Sequence, residues 1–399
     1  MISILGIIVI LLTAYLFSND RRNIPLRTVS LAFTLQITFA FIVLYFPAGK
    51  DALNGFSAGV SNVIDYGQEG ISFLFGNLVQ GGFVFAINVL GIIVFFSALI
   101  SALYHIGFMP KVINIVGGGL QKLLGTGRAE SLAATANIFV GMIEAPLVVK
   151  PYLKGMSDSQ FFAVMTCGLA SVAGGTLVGY AMIGVDIKFL VAASFMSAPA
   201  GLLMAKFLFP PSKNEISADE ITKVELPRAT NVVEALADGA MAGLSMATAI
   251  GATLLAFVGV IALLNGMLGG IGNWFDLTLS FEIILGYVFA PVAWLIGVPW
   301  NEAIVAGSLI GNKIVVNEFV AFIQLMEVKD QLSEHSQAII TFALCGFANI
   351  STMAILIGGL GSMIPERRQF IAKHGFRAIF AGVLANLMSA AIAGVILSL

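Results

Sequence analysis

Three glutamates stand where the surrounding residues give a carboxylate no solvent. Glu144 lies between Met142-Ile143 and Ala145-Pro146-Leu147, Glu302 follows Trp300-Asn301, and Glu318 follows Ile314-Val315-Val316-Asn317. In hydrocarbon such a group costs about 2.5–3.5 kcal/mol even on the lenient insertion scale, so ionisable groups at that depth usually face a pathway. Glu144 and Glu302 are placed to accept hydrogen bonds from hydroxyl or amine groups of a substrate. Glu318 is close to Lys313 and reads equally as the partner of that lysine. Asn137, Ser171 and Asn349 add neutral oxygens beside glycine-rich breaks. A sodium ion wants several oxygen ligands, and such side chains with unwound carbonyls supply them, although the same residues also glue helices together. His335 and His374 belong to loops, and His105, near the end of a span, reads as interfacial with a proton relay as the alternative.

The elements that must position these groups follow from composition. Of 399 residues 58% are hydrophobic and 11% charged, against roughly 25% charged in a soluble domain. Mean hydropathy of +0.98 and 43 glycines fit a polytopic helical membrane protein. A net charge of −2 leaves no footprint for nucleic acid. Cys167 and Cys345 sit in apolar runs and make neither a disulfide framework nor a zinc pattern. Neither H-E-x-x-H nor a Walker loop occurs, so metalloprotease and ATP-driven pump chemistry lack their groups. Transport, not catalysis, is the expected activity.

Runs free of Asp, Glu, Lys and Arg are long enough to cross the roughly 30 Å of hydrocarbon at Met1–Asn19, Thr28–Gly49, Gly70–Pro110, Ser159–Val185, Gly239–Asn273, Ser336–Pro365 and Ala378–Leu399, with Phe189–Pro210 nearly as clean. These make eight expected spans in an all-α polytopic membrane protein. The first is not a cleavable signal, because its basic residues follow rather than precede it. The clusters Arg21/Arg22/Arg27, Lys206/Lys213 and Arg367/Arg368/Lys373/Arg377 place those loops in the cytoplasm. Both termini then fall on the outer side of the inner membrane.

Two segments are too short to cross. Residues 131–143 lead to Glu144 and a second short stretch ending at Lys150; Ile283–Pro299 leads to Trp300-Asn301-Glu302 and a second run broken by Gly307 and Gly311. Each reads as a re-entrant hairpin, which membrane depth tolerates only where protein or a cavity surrounds the tip. Cys167-Gly168-Leu169-Ala170-Ser171-Val172 recurs as Cys345-Gly346-Phe347-Ala348-Asn349-Ile350, and Glu144-Ala145 recurs as Glu302-Ala303. With the orientation above, this makes two inverted repeats of hairpin, span, span. Ser171–Thr176 and Asn349–Thr352 interrupt their spans with small polar residues that weaken helices. Leu53, Phe56, Val60, Val63 and Ile64 suggest an interfacial helix, and Asn231 with Glu234 a cap for the sixth span. The chain thus divides into scaffold helices over 1–125, a first transport repeat over 126–209, a linker with the sixth span over 210–275, and a second repeat over 276–399.

The run Gly311-Asn312-Lys313-Ile314-Val315-Val316-Asn317-Glu318-Phe319-Val320-Ala321-Phe322 matches in full the signature G/A-x-K-x-x-x-N-E-F-V-A-Y/M/F of the concentrative nucleoside transporters. The resemblance continues through Asn137–Gly141, Glu144–Leu147, Gly297–Glu302 and Phe347-Ala348-Asn349 and covers essentially the whole chain. It implies a homotrimer in the bacterial inner membrane, each protomer pairing a scaffold with a mobile transport part. It also implies that Glu302, Asn349 and Thr352 hold the ribose and that Glu144 works on the base side, with Phe347 lining the site. Asn137, Val140, Ser171 and Val172 would hold sodium. Where the family carries Gln then Thr or Ser, this chain has Met142 and Ile143, which cannot donate or accept comparably; Thr176 stands where relatives carry valine. The expected function is sodium-coupled nucleoside symport with altered base selectivity. A proton-coupled carrier, and a carrier or receptor for a polyol-like substrate, stand beside it.

Overall fold

The computed structural model describes residues 2–80, 83–212, 229–275 and 277–399, and these are helical with no strand among them. Among the described residues six helices are long and apolar enough to cross a bilayer: Leu26–Leu44, Phe85–His105, Asp158–Met182 with its break, Ile187–Leu208, Val232–Asn273 and Pro365–Leu397. The first expected span forms a shorter apolar helix, Ile2–Leu16, and the one expected over Ser336–Pro365 is divided between Glu334–Leu344 and Thr352–Met363. Most of the expected linker before Arg228, with Lys213, lies outside the described residues.

Burial separates two kinds of helix. Within its most apolar window Asp158–Met182 is 94% buried, whereas Val232–Asn273 is 17% buried and keeps its apolar side chains outward. The buried helices are therefore the core on which the breaks and hairpins are mounted. Val232–Asn273 packs along Phe85–His105 through Gly239 and Gly243. A Cβ on Gly239 would stand 2.5 Å from Ser101 Cβ, and one on Gly243 2.7 Å from Ser97 Cβ, so glycine spacing lets the two backbones touch. Asn231 caps the long helix by accepting Glu234 N–H at 2.9 Å, as its sequence suggests. Pro47–Phe75 buries Leu53, Ile64 and Ile71 on one face, while Phe56 stays half exposed. Its Gly55-Phe56-Ser57-Ala58-Gly59 has hydrolase-like spacing, but it lies inside an unbroken helix and not on the strand-to-helix elbow such a nucleophile needs.

The second hairpin differs from its expected form. Phe281–Leu295 and Ala303–Val315 are a tight antiparallel pair, and the second helix runs unbroken through Gly307 and Gly311. Those glycines are contact points instead: a Cβ on Gly307 would lie 2.6 Å from Ala290 N, and one on Gly311 2.8 Å from Leu285 Cβ. The break falls later, at Val316-Asn317, before the Glu318–Val328 helix. The same order occurs in the first half, where Arg128–Ala136 ends, residues 137–144 turn, and short helices begin after Glu144. By element order the counterpart of Glu144 is therefore Glu318, not Glu302.

Candidate functional site

The turn at residues 137–144, the turn before Glu318 and the two broken helices converge. Asp158–Ala170 stops at Ser171 and resumes at Gly174; Glu334–Leu344 stops at Cys345 and resumes at Thr352. The breaks are joined directly, since Phe347 N–H donates to Ser171 O at 3.1 Å. Each hairpin turn is pinned to its neighbouring break in the same way: Gly174 N–H donates to Phe139 O at 3.1 Å and Ile350 N–H to Ile314 O at 3.0 Å.

Between these elements and the Val232–Asn273 helix lies a cleft with two chambers of about 470 Å³ each, which share Gly141, Glu144, Ala242 and Met246. One chamber contains Met142, Ile143, Thr176, Glu318, Asn349 and Thr352; the other reaches Ser97, Tyr104, Val140, Lys150 and Asp238. Volumes of this size suit a small ligand.

The signature shows its purpose in the first chamber. Asn317 caps its helix by accepting Val320 N–H at 2.9 Å, which puts Glu318 at the first helical position, 5% exposed and facing the cleft. Glu318 Oε1 accepts the Tyr180 hydroxyl at 3.1 Å, and Oε2 accepts Asn349 Nδ2 at 3.0 Å. Phe319 meets the Tyr180 ring edge-on and Phe322 meets it at a tilt, with centroids 4.6 and 4.5 Å away. Asn349 Oδ1 accepts Thr352 N–H at 3.0 Å and Ser351 Oγ at 2.6 Å, and Thr352 Oγ1 donates back to Asn349 O at 2.5 Å. Thr176 is buried, its hydroxyl donating to Ala173 O at 2.8 Å. Phe347 lines the same wall. Tyr180 was not visible as a site residue, because a tyrosine in an apolar run gives no pattern of its own.

Glu302 is not brought to this cleft. Its carboxylate accepts the backbone N–H and the hydroxyl of Ser333, both at 3.1 Å, at the turn between Phe281–Leu295 and Ala303–Val315. Glu318 stands where Glu302 is expected. Lys313, which the sequence sets close to Glu318, donates to Asn386 Oδ1 at 2.8 Å, and Lys154 pairs with Glu366 at 3.1 Å. Glu144 lies over Gly141, where a Cβ would stand 2.3 Å from Oε2.

The residues expected to hold a cation lie at the first hairpin turn and at the first helix break. Asn137, Ser171 and Val172 are buried and Val140 is half-buried. Asn137 Nδ2 donates to Ala133 O at 2.9 Å, but its buried Oδ1 has no partner and faces the first broken helix near Gly168. Ser171 Oγ donates to Cys167 O at 3.0 Å, which leaves its lone pairs free. An orphaned buried amide oxygen, facing a broken helix whose Ser171 hydroxyl can still accept, fits a small hard cation. No cluster of three His, Cys, Asp or Glu side chains competes among the described residues.

One charged pair escaped the reading of the sequence. Lys206, counted there with a cytoplasmic cluster, is 5% exposed and reaches Glu130 at 2.7 Å and Ser159 Oγ at 3.2 Å. It fastens the start of the first hairpin to the Ile187–Leu208 helix.

Helices broken at depth, hairpin turns facing them and a cleft between a buried core and an outer helix define a secondary transporter. Comparison with known proteins narrows the class. Models described as Na+ dependent nucleoside transporter C-terminus, Na+ dependent nucleoside transporter N-terminus and nucleoside recognition match residues 189–394, 5–78 and 86–186. The chain belongs to this nucleoside transporter family. Nucleoside permease NupC of Helicobacter pylori is 49% identical over 411 residues, covering 100% of this chain and 98% of that protein. CNTnw in an inward-facing substrate-bound state superimposes with a TM-score of 0.94 at 50% identity, covering 100% and 98% of the two chains. A CNTnw variant in an outward-facing state gives 0.96 at 51% identity, covering 100% and 97%.

Proposed function

We propose that this chain is a sodium-coupled nucleoside symporter working by alternating access, with Glu318 rather than Glu302 as the ribose carboxylate. The observation that carries this reading is the pairing of a hydroxyl-binding group, Glu318–Asn349–Thr352, with the unpartnered Asn137 oxygen at the break that Phe347 ties to it. A carboxylate that accepts only protein donors on two of its lone pairs keeps others for vicinal hydroxyls. Glu144 reaches the base from the opposite turn, while Met142 and Ile143 give it an apolar wall without donors. That wall reads different bases weakly. Sodium is a second substrate here, held by Asn137 and Ser171 side chains with backbone at Val140 and Val172.

The transport part comprises the two repeats, inverted relative to each other, and moves against a scaffold that includes Phe85–His105 and Val232–Asn273. Family membership and the inward- and outward-facing relatives support this division. The outward apolar surface of Val232–Asn273 suits a bilayer, the family resemblance supports trimeric assembly in a bacterial inner membrane, and the charge order of the loops supports both termini on the outer side. One sodium ion moving inward across about 100 mV supplies roughly 2.3 kcal/mol, which corresponds to accumulation on the order of 40-fold. Uridine uptake into proteoliposomes under an inward sodium gradient, with pH equal on both sides, tests the coupling. Accumulation that follows sodium is expected; uptake that ignores sodium and follows an imposed pH gradient refutes it.

A further inference from the structure

Asn386 sits midway along the Arg368–Leu397 helix, 2% exposed. Its importance follows from the backbone of the two breaks. A helix that stops at membrane depth strands carbonyls that must find donors within the protein. Ala170 O would normally take the amide four residues on, but Gly174 N–H has turned to Phe139 O. Cys345 O loses its amide likewise, since Asn349 N–H has turned to Thr352 Oγ1 at 3.4 Å. One side chain satisfies both carbonyls: Asn386 Nδ2 donates to Ala170 O at 2.7 Å and to Cys345 O at 2.9 Å. Its oxygen accepts Lys313 Nζ at 2.8 Å, which ties in the end of the Ala303–Val315 helix. The fit is close, because a Cβ on Gly346 would stand 2.3 Å from Asn386 Oδ1.

We propose that Asn386, oriented by Lys313, is a positioning residue that carries cation binding at the first break to the nucleoside-binding side chains on the second. The inference rests on the sodium-coupled reading above and adds the route of coupling. Ser171 opens the first break and Asn349 lies in the second, two residues after Phe347, so the shared carboxamide and the Phe347–Ser171 bond make the two breaks one body. Sodium that fixes the first break then fixes Asn349, and nucleoside binds to an ordered partner. Coupling of this kind is a measurable free energy between sites, reciprocal in its two ligands.

The test is equilibrium binding of uridine to purified full-length protein in sodium and in choline. The ratio of the two dissociation constants measures the coupling. Asn386→Asp keeps an acceptor for Lys313 and removes both donated bonds; its ratio is expected to fall by about fivefold or more. Lys313→Met leaves the donated bonds and frees the carboxamide to turn, so a smaller fall in the same direction is expected. Affinity weakened equally in both buffers marks a merely structural brace and overturns the proposal. A ratio unchanged in Asn386→Asp also overturns it, and if that variant does not fold, an unchanged ratio in Lys313→Met does so. A wild type with no sodium dependence defeats the symport reading and this inference together, whereas a strong wild-type ratio kept by the variants defeats the inference alone.

Discussion

Replacing Glu318 by glutamine is the sharpest test of the site, because it keeps shape and changes only charge and donor pattern. The carboxylate already accepts Tyr180 Oη at 3.1 Å and Asn349 Nδ2 at 3.0 Å, so of about four lone-pair positions two are left for ligand hydroxyls. Glutamine keeps one acceptor oxygen and turns an NH2 toward neighbours that are themselves donors. Losing one charge-assisted hydrogen bond costs about 1.5–3 kcal/mol, which weakens binding by roughly 10- to 150-fold. Glu302→Gln is the matched control, since that carboxylate serves Ser333 at a distant turn; its affinity is expected within about twofold of wild type, the scale of a surface change. The assay is uridine binding by titration calorimetry in sodium, with thermal unfolding of each variant as the folding check. If Glu302→Gln loses binding and Glu318→Gln keeps it, the assignment made from the cleft is wrong.

Two further outcomes follow from the geometry. Met142→Gln with Ile143→Thr restores polar groups to the apolar wall and should raise discrimination between bases by about 2- to 10-fold per hydrogen bond gained; competition among nucleosides measures it, and an unchanged rank order removes these residues from base selection. Lys206→Met leaves Glu130 buried beside Gly127 N–H with no cation, at a cost of about 3–5 kcal/mol, read as a lower unfolding temperature in detergent. The double variant with Glu130→Gln should recover most of that loss, and failure to recover would mean the pair is not the source.

Legibility varied along the chain. The Asn231 cap could be read locally, because a cap depends on residues within one turn. The two breaks were also legible, since Ser171–Thr176 and Asn349–Thr352 are poor helix formers in otherwise strong apolar helices. Glu302 and Glu318 were harder to tell apart. Both follow apolar runs and both precede helices, so local pattern gives each the same claim on a hairpin tip. Gly307 and Gly311 added to the error, because a glycine reads as a helix breaker when the neighbour that needs its missing side chain is not yet known. Lys206 was assigned to a loop by its distance from the span centre, although its ammonium turns inward to Glu130.

Scarcity of charge, the uncharged runs and the signature around Glu318 determined by themselves that the protein is helical, lives in a bilayer and resembles nucleoside carriers, because lipid imposes those constraints on sequence one segment at a time. Which carboxylate meets Asn349, that Tyr180 steadies it, and that Asn386 answers two stranded carbonyls were decided only in three dimensions. These contacts join residues from 31 to 216 positions apart, and a hydrogen bond over such a separation leaves no periodicity in the chain to read.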